Sequence, residues 1–250
     1  AAIVTSVAGL VSLGYVWLES RTDAHTDPFA GETVPHYTGY DSNGHLQGEG
    51  KFSWCKAPRY QGEPHEVGPL ARMLVGYSTG VKEIKGLVEG TLKSANLPAS
   101  ALFSTLGRTA ARAIETKYVA GRLEGWVNEL TANVKAGDIR TATSFTMPGK
   151  AVQGRGMTDP PRGALGHWLR VKDGVIENYQ AVVPSTWNCS PRDAAGKRGP
   201  YEESLIGTKL AKADQPLEIL RTIHSFDPCM ACAVHVIDPQ TNEVRKYRVA

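Results

Sequence analysis

Asp227-Pro228-Cys229-Met230-Ala231-Cys232-Ala233-Val234-His235 is the segment of this chain richest in groups that bind metals or carry redox chemistry. Two thiols stand three residues apart, an imidazole follows three residues later, and an acid–proline pair lies just upstream. Asp is favoured as a helix N-cap and Pro at the first helical position, so the pattern predicts a helix opening here. On that helix Cys229, Cys232 and His235 would share one side, because three-residue steps drift by only about 60° at 3.6 residues per turn. A helix N-terminus favours thiolate over thiol, the form that ligates a metal. Two sulfurs suit nickel, zinc or iron better than magnesium or calcium.

The motif alone leaves several chemistries open, among them a zinc site and a redox dithiol. A thioredoxin-like dithiol calls for a strand leading straight into the motif, and the sequence offers none. A structural zinc site calls for a second ligand pair. The other two cysteines stand apart, in Phe-Ser-Trp-Cys55-Lys and Trp-Asn-Cys189-Ser-Pro, and read as small, buried or half-buried residues. The closing motif then supplies half a site, whose other half lies outside this sequence.

The elements that must position this motif come from 250 residues with 41% apolar content, enough for one sizeable core. A net charge of +3 from scattered basic residues gives no support for nucleic-acid binding. Four cysteines in this length are no disulfide framework. Residues 1–18 carry no charge before Glu19, but Thr5, Ser6, Gly9, Ser12 and Gly14 dilute them and no basic residue precedes them. They read as a buried helix of a chain that began earlier, not as an anchor or signal peptide.

Residues 21–64 read as a long loop region with short extended pieces such as Lys51–Trp54. Helical spacing runs from Pro69 to about Lys93, and again from Pro98 through Leu102, Phe103, Leu106, Ala110, Ile114, Tyr118, Leu123, Trp126, Val127 and Leu130. That second stripe reads as core, with Arg108, Arg112, Glu115, Lys117 and Glu124 on its solvated or partner-facing side. Around Asp173-Gly174 the pattern alternates over residues 167–183, a β-hairpin with a type I′ turn. Val175, Glu177, Tyr179, Ala181 and Val183 would share one face of the return strand. Residues 189–200 read as loop, and short helices fall around Tyr201–Leu210 and Pro216–Thr222. The fold class is mainly α with small β elements (α+β). The hairpin aims Pro160-Pro161-Arg162-Gly163 and Pro184-Ser185-Thr186-Trp187 toward the closing motif.

Five ordered segments carry a family resemblance: Lys56-Ala-Pro-Arg-Tyr60, Glu66-Val-Gly-Pro-Leu-Ala-Arg72, Pro161-Arg-Gly-Ala-Leu-Gly-His-Trp168, Asn178-Tyr-Gln-Ala-Val-Val-Pro-Ser-Thr-Trp-Asn188, and Asp227 through His235. Together they resemble the C-terminal part of the [NiFe] hydrogenase large subunit, from about residue 27 onward, and most of all the membrane-bound uptake enzymes. The resemblance implies a helical-bundle core and one domain, of which residues 1–250 are the C-terminal part. It implies that Cys229 binds nickel terminally and Cys232 bridges nickel to an iron carrying one carbonyl and two cyanides. Pro184 and Ser185 would border one cyanide, and Pro161 and Arg162 the other. Asp227 would pair with Arg162, and His235 with the backbone carbonyl of Ala181 would ligate a magnesium or iron ion.

The implied reaction is heterolytic cleavage of dihydrogen, with Cys229 or a group near Arg162 as proton acceptor. Electrons would leave through iron–sulfur clusters of a separate small subunit. Further implied partners are a maturation endopeptidase, nickel-insertion chaperones and a membrane cytochrome b. The implied location is the periplasmic face of the cytoplasmic membrane after export as a heterodimer, from a cytoplasmic precursor. Residues 236–250 match a C-terminal extension removed after His235. Absent from this chain are the family's upstream C-x-x-C and proton-relay glutamate, so it reads as a fragment that would be inactive alone. Asp159-Pro160 replaces a usual Glu-Ala, and residues 1–26 match poorly. The alternative is a non-catalytic structural or H2-sensing relative. By themselves Arg162 reads as a surface arginine, Ser185 as a strand cap and His235 as a core histidine. Glu66, Arg72, His167 and Trp168 read as structural.

Overall fold

The structure is a computed structural model. It describes residues 29, 42–43, 55–212 and 214–229, and the backbone of short strands at 3–4, 15–18, 25–26, 233–237 and 244–248. Lys51–Trp54 and Cys232 lie outside the described residues, as does the side chain of His235.

The N-terminal segment forms strands where a helix was expected. β1 (Ile3–Val4) pairs in parallel with β5 (His65–Glu66). β2 (Tyr15–Leu18) lies between β3 (His25–Thr26) and β4 (Ala57–Tyr60), antiparallel to both. Ile3, Val4, Tyr15, Val16 and Trp17 are β-branched or aromatic, types that suit a pleated surface better than a helix interior.

The expected helix from Pro69 to Lys93 is two helices, α1 (Pro69–Ser78) and α2 (Lys82–Ala95). Gly80 takes a left-handed φ of 78°, and the Val81 N–H returns to the Gly76 carbonyl at 2.9 Å. That is a glycine C-terminal stop. Pro98 opens only a short 3-10 turn over Ala99–Leu102. The long helix α3 (Thr105–Lys135) starts after Ser104, whose hydroxyl caps it by accepting from the Gly107 N–H at 3.0 Å.

Leu70, Met73, Ile84, Val88, Leu102, Ala111 and Ile114 form the helical core among α1, α2 and the first turns of α3. The apolar stripe of α3 stops being core beyond Tyr118. Leu123, Trp126, Val127 and Leu130 are exposed, as are Phe103 and Leu106, because α1 and α2 cover only the first part of this 31-residue helix.

β6 (Val152–Thr158), β7 (Leu165–Lys172) and β8 (Val175–Val182) make an antiparallel sheet in that order. The predicted hairpin is β7–β8, and Asp173 and Gly174 take φ values of 51° and 77°, as a type I′ turn requires. Val175, Tyr179, Ala181 and Val183 are exposed while Gln180 and Val182 are buried, so the alternation holds near the strand's end. β6 escaped the sequence reading because Val152-Gln-Gly-Arg-Gly-Met-Thr158 has no buried face to impose alternation. Trp168 and Val182 pack with Val67, Ala164 and Trp187 in a second core. Three short helices follow: α4 (Pro184–Asn188), α5 (Pro200–Leu205) and α6 (Leu217–His224). At the end β9 (Ala233–Ile237) and β10 (Val244–Arg248) pair antiparallel, with His235 opposite Lys246. The architecture is α+β, and Glu66-Val67-Gly68-Pro69 runs from one core into the other.

Candidate metal centre

Asp227 does not cap a helix. It takes a left-handed φ of 55° at the exit of α6, its N–H bonded to the His224 carbonyl at 2.9 Å. Asp is among the few non-glycine types that tolerate this conformation. Residues 227–229 are irregular and residues 233–237 are a strand, so Cys229 and His235 do not stand on the predicted helix; Cys232 lies outside the described residues. Helix α6 ends just before the motif, and Pro228 then blocks its continuation.

That turn nonetheless meets both segments the hairpin was expected to deliver. Arg162 Nε donates to the Asp227 backbone carbonyl at 2.9 Å and lies 3.2 Å from its Oδ2, while Nη2 reaches Oδ1 at 3.4 Å. Both side chains are 41% exposed, so the pair faces solvent on one side. The Cys229 N–H donates to Ser185 Oγ at 3.1 Å. Ser185 is buried in the first turn of α4, behind Pro184 at the helix start. Accepting that bond leaves the hydroxyl proton available as a donor. Cys229 itself is exposed. Pro161 precedes Arg162 in the turn between β6 and β7, and the exposed Ala181 stands opposite His167 in β8.

Arg162 is held from behind by backbone packing. A Cβ on Gly68, whose φ is 122°, would lie 2.9 Å from the Arg162 carbonyl oxygen. A Cβ on Gly163, with φ 131°, would strike Val67 Cγ2 at 2.5 Å. Glycine at both positions therefore lets the Pro161-Arg162-Gly163 turn sit directly on the Val67-Gly68 crossing. Asn188 pins the same crossing, accepting from the Val67 N–H at 2.9 Å and donating to its carbonyl at 3.0 Å.

Arg72, expected as a structural ion-pair residue, and Arg108 and Arg112, expected on a solvated or partner-facing side, turn out to clamp these loops. Arg72 makes a two-pronged ion pair with Glu115 and a single contact with Asp159 at 2.6 Å, and donates to the carbonyls of Pro160 at 3.0 Å and Pro161 at 2.7 Å. Arg108 forks onto Glu66 at 2.7 and 2.8 Å, both buried, and lies 4.0 Å over the Phe226 ring. Arg112 donates to the Ser225 carbonyl at 3.0 Å. Arg108, Arg112 and Glu115 therefore point at the site, not at solvent. The legible signal was their spacing: residues 108, 112 and 115 fall on one face of α3. Arg59, fully buried, donates to Asp193, to the carbonyls of Pro58, Pro191 and Lys197, and to Ser190 Oγ, so it builds the loop after α4.

Among the described residues no group of three or more His, Cys, Asp and Glu side chains is arranged to hold a metal. The donor chemistry present fits part of a soft-metal group with anionic ligands: one exposed thiol, on a residue whose backbone N–H donates to a buried hydroxyl and which stands two past the Asp227 of the Arg162–Asp227 pair.

The family profile described as nickel-dependent hydrogenase matches residues 12–235. The uptake hydrogenase large subunit of Rhizobium leguminosarum bv. viciae is 50% identical over 234 residues, covering 89% of this chain and 39% of that protein. The quinone-reactive Ni/Fe-hydrogenase large chain of Wolinella succinogenes is 48% identical, covering 94% and 42%. Among solved structures, a [NiFeSe] hydrogenase variant from Desulfovibrio vulgaris Hildenborough superposes with a TM-score of 0.66 at 34% identity, over 86% of this chain and 44% of that one. This chain thus spans about two-fifths of the curated relatives' length. A family match over nearly all of the chain makes it a member of the nickel-dependent hydrogenase family.

Proposed function

We propose that this chain is the C-terminal, site-bearing part of the large subunit of a nickel–iron uptake hydrogenase, which cleaves dihydrogen heterolytically. The observation that carries the reading is the meeting of Arg162, Asp227, Ser185 and Cys229 from three separate segments, in a chain of this family. Cys229 and Cys232 would hold a nickel–iron centre, with iron carrying carbonyl and cyanide ligands. When bound, that centre would supply Lewis-acid polarisation of dihydrogen and a path for its electrons.

The chain's own residues have distinct tasks. Asp227 fixes the Arg162 guanidinium by a carbonyl and a carboxylate contact, so a positive charge stands ready beside the open site. Ser185 seats the Cys229 backbone and retains a proton to donate to an anionic ligand. Cys229, exposed and two residues past the Asp227 that binds Arg162, would take the proton released from dihydrogen. His235 with the Ala181 carbonyl would hold a magnesium or iron ion.

The relatives' names, large subunit and large chain, support a smaller partner, which would carry the iron–sulfur clusters. Nickel-insertion chaperones and an endopeptidase cutting after His235 would mature the chain, and the family match does end at that residue. A cytochrome b and a periplasmic membrane face complete the proposed setting. In the full-length protein, hydrogen-dependent dye reduction should be lost in Cys229→Ala with the fold retained by circular dichroism. Undiminished activity in that variant, or none in the wild type after maturation, would sink the reading.

A further inference from the structure

The sequence reading left Cys55 and Cys189 as isolated residues, yet the fold brings them together. Their sulfurs lie 3.1 Å apart across a separation of 134 residues, each half-buried. Cys55 stands two residues before β4, and Cys189 caps the C-terminus of α4 with its N–H on the Ser185 carbonyl at 2.8 Å. The two segments are held on both sides of the pair. Arg59, four residues after Cys55, binds Ser190, Pro191, Asp193 and Lys197, and Asn188 binds both backbone groups of Val67. The folded state has therefore already met the entropic cost of bringing the thiols together.

We propose that Cys55 and Cys189 form a reversible disulfide that ties α4, and with it Ser185, to the β4 segment. Closing the bond needs the sulfurs to approach to about 2.05 Å, a shift of roughly one ångström in side chains that already touch. The oxidant is of the disulfide class, such as oxidised glutathione. A cysteine thiolate attacks it, forming a mixed disulfide and releasing one thiol. The second cysteine displaces the other thiol, so two protons and two electrons leave the pair and the oxidant ends as two thiols. The adjacent Cys55 thiol and burial both push the Cys189 thiol up. The first attack thus falls to Cys55, and the reaction speeds up with rising pH. The proposal does not depend on the hydrogenase reading, because neither cysteine belongs to the closing motif.

The test is peptide mapping of the full-length protein after incubation with oxidised glutathione at pH 8, with free thiols then alkylated in denaturant. Trypsin should release Phe52–Lys56 linked to Asp173–Arg192, each with one cysteine. Reductant should separate them. The oxidised wild type should melt roughly 5 °C higher than the reduced form, as expected for a long-loop cross-link in a chain this size. Cys189→Ser, or Cys55→Ser should that variant not fold, should lose both the link and the shift. The proposal is overturned if both peptides stay alkylated, or if glutathione remains on the two cysteines separately. A link from either one to Cys229 or Cys232 instead would overturn it as well.

Discussion

At the scale of single residues, the site rests on positions whose side chains never reach the chemistry. Gly68 and Gly163 permit backbone contact at distances that no Cβ allows. Gly68→Ala would combine a left-handed φ with a 2.9 Å contact to the Arg162 carbonyl, for a cost of about 2 kcal/mol. A urea melt should show that loss, with activity falling because Arg162 moves; an unchanged midpoint would mean the crossing is looser than described. His65 is a second such residue. It is buried, its Nε2–H donates to the Tyr60 carbonyl at 3.3 Å, and its Nδ1 has no hydrogen-bond partner among the described residues. Burial, opposed by that carbonyl, holds its pKa below the usual 6.5. The unfolded chain then binds the extra proton first, so stability is full above pH 6.5 and falls as pH drops through and below it. Wild type should lose more thermal stability than His65→Gln between pH 7.5 and 5.5, and equal losses would remove His65 from the account.

At the scale of elements, α3 acts as a frame that carries three charged residues onto loops from distant parts of the chain. The buried Glu66–Arg108 pair ties α3 to β5, and Arg108 presses on Phe226 beside Asp227. Removing one member strands a buried charge, a loss of about 3–5 kcal/mol. Arg108→Met should show it in denaturant unfolding, and the double variant with Glu66→Leu should recover part of it. A fully additive double variant would mean the two residues do not act as a pair. Much at this scale was legible in advance: the type I′ hairpin, the helix starting at Pro69 and the loop over 189–200 all followed from local chemistry. What was not legible was tertiary. Glu115 and Arg112 look like a solvated face until Arg72 and the Ser225 carbonyl are placed against them. The helix expected at Asp227 failed because residue preference at a cap is local, whereas the turn here is fixed by Arg162 and Ser185.

At the scale of the molecule, the Glu66–Pro69 crossing runs between the two cores, and the site forms where the sheet turn, α4 and the α6 exit converge on it. The far half of α3 presents Leu123, Trp126, Val127 and Leu130 outward, between 46% and 63% exposed. Apolar surface of that extent drives association. The 250-residue chain alone should therefore sediment as oligomers at micromolar concentration, and Leu123→Lys with Val127→Lys should shift it toward monomer; a monodisperse wild-type chain would contradict this. Periodicity had marked these residues as core, and periodicity cannot say whether the covering partner lies within the same 250 residues.

The claim on which the rest depends is that Cys229, its N–H held by Ser185 and two residues past the Arg162-bound Asp227, is a metal ligand. Metal analysis of the matured full-length protein tests it most directly. Nickel and iron should be present in wild type, and nickel should be lost in Cys229→Ser with the fold intact. A nickel-free wild type, or a Cys229→Ser protein that keeps its full nickel content, would contradict the account.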